Sequence, residues 1–127
     1  MRTITTHHTN DANKAIVCES DERNPANGNA AHHYALKVYK SKSPESPLIR
    51  TNHLDFQDGP IAETGVNGVT NEVLLAILID RLEGFQSSKY ACEENETALT
   101  HCVLALQNLE LRTKARTERG VEGTHTV

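Results

Sequence analysis

Four cations stand within eight positions near the end of an acidic chain: Arg112, Lys114, Arg116 and Arg119, in the stretch RTKARTERGVEG (Arg112–Gly123). They are four of only 13 Lys and Arg in 127 residues, whose formal net charge is −4. Three of the four are Arg, whose planar fork matches phosphate and also stacks on a base. On a helix, Arg112 and Arg116 are i, i+4 neighbours pointing the same way, with Arg119 near that face. A plainer role competes: cations near a helix C-terminus complement its dipole and rest in solvent. Phe85 is the second unusual residue. It follows Gly84 at an expected helix end, where it either anchors a turn or offers a nucleobase a ring to stack on.

Other chemistry is thin. Seven histidines are present (His7, His8, His32, His33, His53, His101 and His125), and none sits in a nucleophile or metal pattern. The adjacent pairs His7–His8 and His32–His33 point to opposite sides if extended, so neither is expected to share a metal. His101 and Cys102 read as a surface residue and a small buried thiol on a helix. The acidic pairs Glu93–Glu94 and Asp21–Glu22 lack a matching partner. The glycine-rich GVNGVTNE opens a helix and offers backbone N–H groups to an anion. It has no Walker lysine and no dinucleotide fingerprint, so a turn with two glycines at positive φ is the simpler reading. Nothing in these residues supports an enzyme, a metal or a cofactor.

The elements that position these residues change character near Gly65. Before it lie short alternating runs: Lys14–Ser20, then His33–Lys40 with Tyr34, Leu36 and Val38 on one face, then Leu48–Gln57 with Leu54 and Phe56. Asn27–Gly28 is the strongest hairpin signal, SKSPESP is a loop, and QDGP turns the chain toward a short Ile61–Glu63 segment. An antiparallel sheet of three to five strands is expected. After Gly65, Thr70 is an N-cap, Glu72 favours the positive end of the dipole, and Gly84 is the expected stop. That helix is nearly all apolar in its middle, so burial on most sides is expected. A longer helix follows, from about Ala91 to Arg119. It carries the stripe Asn95, Leu99, Cys102, Leu106, Leu109, Thr113 and Arg116. The fold class is therefore α+β: a small N-terminal antiparallel sheet (residues 1–64), then a C-terminal helical hairpin (65–127) of one short buried helix and one long helix.

The long helix reaches about 40 Å, far beyond its shorter partner. An exposed remainder bearing Leu106 and Leu109 calls for a second copy of the hairpin, so a homodimer is the expected minimum. The three cysteines, Cys18, Cys92 and Cys102, are odd in number and form no C-x-x-C, which fits a reducing compartment. Met1–Asn10 is polar and unlike a secretory signal, and no apolar run is long enough for a membrane span. The acidic balance argues against duplex nucleic acid.

From Gly59 onward the sequence resembles the hairpin domain shared by phage anti-Thoeris and anti-CBASS sponge proteins. The segments that carry the resemblance are GPIAETGVNGVTNE, LIDRLEGFQ, ACEEN with AL after it, and RTKARTERGVEGT, in order and at family-like spacing. The β-rich first half is similar to the anti-Thoeris type. The resemblance implies a non-enzymatic protein of the infected bacterial host's cytoplasm. It would sequester a cyclic nucleotide signal, glycocyclic ADP-ribose, with cyclic di- and trinucleotides of CBASS as further ligands and a homohexamer as the larger assembly. It also implies ligand contacts at Phe85, Asn95, Arg112 and Arg116, with Gln86, Arg119, Gly123 and Thr124 as second-tier candidates. The loop departs from the family's Gly-Pro-aromatic pattern, having Ser88, Lys89 and Tyr90 before Ala91–Cys92.

That carry-over makes a geometric demand. Asn95 and Arg112 are 17 positions apart, about 25 Å on a continuous helix. A ligand the size of ADP-ribose spans them only if an antiparallel second chain brings its own Arg112 and Arg116 beside Phe85 and Asn95. Two rival functions remain at this stage: an enzyme that degrades a cyclic nucleotide, using His101, His125 or Glu118, and a helical-hairpin interaction or DNA-binding regulator. Lys37, Lys40 and Arg50 are further cations that the sheet can bring toward a ligand.

Overall fold

A computed structural model describes residues 1–127. The chain divides into two compact units. The first comprises Met1–Gly59 with Thr64–Val69, the second Pro60–Glu63 with Thr70–Val127.

The first unit is a four-stranded antiparallel meander, β1 (Arg2–Ile4), β2 (Ile16–Ser20), β3 (His33–Tyr39) and β4 (Leu48–Asp55), in that order across the sheet. Register places Ile16, Cys18 and Ser20 opposite Val38, Leu36 and Tyr34, and Tyr34 opposite Leu54, so the apolar alternation of β2–β4 shares one face. Tyr34 meets Phe56 edge to face, with ring centroids 5.5 Å apart. The other face carries the Lys37–Glu19 ion pair at 2.5 Å. That carboxylate's hydrogen bond, and then its charge, raise the Lys37 pKa above the ordinary lysine value.

Several local expectations need correction. The strand expected from Lys14 begins at Ile16, because Asp11–Lys14 is a helical turn, α1, capped by Asn10, whose Oδ1 accepts from the Asn13 N–H at 2.9 Å. Asn27–Gly28 does not make a two-residue hairpin. Pro25–Asn27 is a 3₁₀ turn capped by Asn24, and Gly28 and Asn29 both take positive φ. The polar N-terminus supplies β1, whose alternation is too short to read. His7 and His8 lie outside the strands, and both rings direct Nε2 at the Ile16 carbonyl, at 2.7 and 3.0 Å. In GVNGVTNE only Gly65 has positive φ, at 73°. Gly68 is required for a different reason. A Cβ there would lie 2.4 Å from the Phe56 carbonyl carbon and 2.6 Å from the Asp55 oxygen, where Val69 bridges Phe56.

The second unit is built on α3 (Asn71–Gln86) packed against α4 (Glu93–Glu118). Ile61–Thr64 forms a single helical turn, α2. Thr70 caps α3 as expected, its Oγ1 accepting from the Val73 N–H at 3.3 Å. Gly84 does not end the helix, which runs two residues on to Gln86 and is capped at Ser87. Leu75, Ile79 and Leu82 of α3 and Leu99, Cys102, Leu106 and Leu109 of α4 are half-buried, as the stripe requires. The expectation of a buried α3 fails within the single chain: no residue of that helix is buried, and Ile77 is 53% exposed. Within this unit only α4 packs against α3, and one neighbour covers one stripe of a helix that is apolar nearly all round.

Candidate ligand-binding site

The helical unit holds every residue expected at the site, at two separated stations. At the first, the last turn of α3 carries Phe85, which is 40% exposed, and the first turn of α4 presents the half-buried Asn95. The Asn95 amide makes no hydrogen bond within the chain. Between them, Gln86 closes the helix connection. Its Oε1 accepts from the Cys92 N–H at 3.1 Å, while its Nε2 donates to the Cys92 carbonyl at 3.1 Å and to Glu96 Oε2 at 3.2 Å. Gln86 therefore acts on the backbone that carries Phe85 and Asn95, rather than projecting freely.

The second station is the end of α4. Arg112 is exposed and forms no ion pair or hydrogen bond. Arg116 is only 8% exposed, and both of its Nη atoms are engaged. Its Nη1 donates to the Thr126 carbonyl at 2.7 Å, and its Nη2 to the carbonyls of Val121 and Thr124 at 2.9 and 3.2 Å. Its Nε makes no hydrogen bond and lies 3.5 Å from Glu122 Oε2. The local sequence explains this arrangement. Gly120 takes positive φ after the Arg119 cap, the Val121 N–H bonds back to the Arg116 carbonyl, and the Gly120 N–H to that of Thr117, each at 3.0 Å. This Schellman closure turns the tail back along the last helical turn, where the guanidinium collects its carbonyls.

The other three second-tier residues, Arg119, Gly123 and Thr124, lie in this turn and its tail. Arg119 donates to the Val127 carbonyl at 2.6 Å, the Gly123 carbonyl accepts from the Ala62 N–H at 3.0 Å, and Thr124 Oγ1 donates to Val121. By spacing alone the arginines share one basic face. Two of them instead grip the tail, and the Arg-x-x-x-Gly spacing that produces the turn was the signal available.

α4 is continuous from Glu93 to Glu118, so Asn95 and Arg112 of one chain stand about 25 Å apart. The structure brings Phe85 and Asn95 to one end of the hairpin and the arginines to the other. No group of three or more His, Cys, Asp or Glu side chains is placed to hold a metal. No helix is long and apolar enough to cross a membrane.

This two-helix architecture has a recognisable likeness: residues 51–110 match the sequence model of the Acb2/Tad1 hairpin domain. Among curated proteins, the chain is similar to Thoeris anti-defense 1 of Bacillus phage SBSphiJ7, with 51% identity over 72 residues. Those residues are 57% of this chain and 51% of the phage protein, so the chain spans about half the length of the curated relative it matches. Both matches support the resemblance to the anti-Thoeris sponge family carried by the segments quoted above.

Proposed function

We propose that this chain is a phage immune-evasion protein that binds and sequesters a cyclic nucleotide signal, glycocyclic ADP-ribose, without cleaving it. The observation that carries the reading is the match of residues 51–110 to the Acb2/Tad1 hairpin domain, joined to the similarity to a protein named for anti-defence. The site's chemistry agrees. An exposed ring, an amide with no partner and an arginine with no counter-charge are what a base, a ribose edge and a phosphate require.

The binding unit in this reading is a homodimer. The helical unit has no buried apolar residue, and Val73, Ile77 and Leu78 of α3 are 41%, 53% and 48% exposed. An antiparallel second copy would cover Val73, Ile77 and Leu78. It would also set its own Arg112 beside Phe85 and Asn95. Phe85 would stack on the base, Asn95 would read a ribose or base edge, and Arg112 would hold the pyrophosphate. Arg116 would reach the ligand only by exchanging its tail carbonyls for phosphate oxygens. Cyclic di- and trinucleotides as further ligands, and a hexamer built from dimers, extend the same reading.

Calorimetric titration with glycocyclic ADP-ribose tests it, followed by chromatography of the ligand released on heating. Saturable heat near one ligand per chain with intact ligand recovered is expected. Fragments would make the protein a hydrolase, and no heat would remove the reading.

A further inference from the structure

The connection between α3 and α4 holds more chemistry than the reading above uses. The Arg81 guanidinium lies 5.6 Å from the Phe85 ring centroid, and the Lys89 ammonium lies 5.3 Å from that of Tyr90. The two rings stand at 81° to one another with centroids 6.5 Å apart. Along the surface the order is cation, ring, ring, cation. Tyr90 is 61% exposed, and neither cation forms an ion pair.

A loop staple is the ordinary use of such contacts, but this loop is already held by other means. Gln86 fixes the Cys92 backbone in both directions. Ser87 Oγ donates to the Gly84 carbonyl at 2.8 Å and Ser88 Oγ to that of Phe85 at 2.7 Å. The Tyr90 N–H donates to Ser88 Oγ at 3.1 Å, and the Ala91 N–H to the Ser88 carbonyl at 3.2 Å. With the backbone closed, the rings and cations are not needed for the turn. Exposed cation–ring pairs contribute little to stability, yet two open rings leave a solvation cost that a planar ligand relieves.

We propose that Tyr90, Arg81 and Lys89 complete the nucleotide site begun by Phe85. The base enters the corner between the two rings, and the two cations meet the phosphates attached to it. This rests on the nucleotide-binding reading above and deepens it by naming which residues grip the base. A planar base laid flat on one ring meets the other edge-on, the arrangement that aromatic quadrupoles favour. Flanking cations then favour nucleotides that carry a pyrophosphate over free nucleosides.

The test is titration with glycocyclic ADP-ribose of the wild-type chain, Tyr90→Ala, Tyr90→Phe and the Arg81→Gln/Lys89→Gln double variant, at low and high salt. Elution volume and thermal midpoint are recorded for each. Loss of about tenfold or more is expected for Tyr90→Ala, near-normal affinity for Tyr90→Phe, and weaker, less salt-sensitive binding for the double variant. The chain has no tryptophan, so Tyr90→Trp adds a single reporter whose emission should be quenched on binding. It keeps the assignment testable if Tyr90→Ala does not fold. Wild-type binding with unchanged affinity in Tyr90→Ala and the double variant, and no quenching of the indole in Tyr90→Trp, would reduce the corner to a loop contact. No binding by the wild-type chain would remove the nucleotide reading itself.

Discussion

The Arg116 guanidinium donates to the carbonyl of Thr126, ten residues away, at 2.7 Å, and this bond with its two companions separates the roles of arginines that look equivalent in sequence. Arg116 is buried and engaged, whereas Arg112, one turn earlier, is exposed and free. Arg116→Ala should release residues 121–127, raising amide exchange there and costing at least about 2 kcal/mol, since a single hydrogen bond from a charged donor contributes about 1.5–3 kcal/mol net of water. Arg112→Ala should leave exchange in the tail unchanged and weaken ligand binding at least tenfold. Equal tail protection in both variants would remove the distinction.

Gly68 and Gly65 are close in sequence, but the chain requires glycine at each for unrelated reasons. At Gly68 a methyl group would meet the Phe56 backbone at 2.4 Å, and backbone cannot step aside as a side chain can. Gly68→Ala should therefore cost about 3 kcal/mol in urea unfolding. At Gly65 there is open space but φ is +73°, so Gly65→Ala should cost about 1 kcal/mol. A Gly68→Ala chain with an unshifted midpoint would mean that the Val69–Phe56 bridge is not formed in solution.

Asp21 ties the strand that precedes it to the start of β3. Its Oδ1 accepts from the backbone N–H groups of His32 and His33, at 3.1 and 3.3 Å. Burial pushes its pKa up, but the His33 and His32 N–H bonds and the charges of those histidines outweigh it and hold the value below the ordinary carboxylate level. The unfolded chain therefore binds the extra proton in the window between the two values, and stability rises with pH there. The contribution is complete above about pH 4 and is lost as pH falls through the depressed folded value. Asp21→Asn keeps an acceptor oxygen but cannot titrate. Its melting temperature should be lower at pH 7 and should fall less than that of the wild-type chain between about pH 4 and pH 2. Parallel acid limbs would count against the assignment.

Where a segment's own pattern determines its structure, the sequence was legible. The period-two run of β3, the Thr70 cap and the α4 stripe from Asn95 to Leu109 all rest on local repeats, and all appear. The misses are places where a contact distant in sequence decides. Nothing local shows that Gly68 must admit the Phe56 backbone. The spacing of Arg112 and Arg116 shows a shared face, but not that a glycine turn would fold the tail onto only one of them. The cation and ring contacts of Arg81, Phe85, Lys89 and Tyr90 depend on where a ten-residue stretch turns, which composition does not reveal.

The proposed two-chain site has a consequence that no single-chain site shares. Phe85→Ala and Arg112→Ala should each abolish tight binding on its own. If every site takes Phe85 and Asn95 from one copy and Arg112 from the other, a mixed dimer of the two variants carries one site with both substitutions and one with neither. After unfolding and refolding an equal mixture, half the dimers are mixed, so about a quarter of all sites should regain full affinity. The stoichiometry of the tight calorimetric phase measures that fraction directly. Ile77→Asp supplies the complementary control, because a charge on the exposed face of α3 should leave the helical signal intact while halving the mass seen by light scattering to 14.0 kDa. Recovery of a quarter of the sites in the mixture, together with their loss in Ile77→Asp, would place each pocket between two chains. No recovery from a dimeric mixture would confine it to one chain, and Asn95 and Arg112 could not then hold the same ligand across 17 positions of unbroken helix.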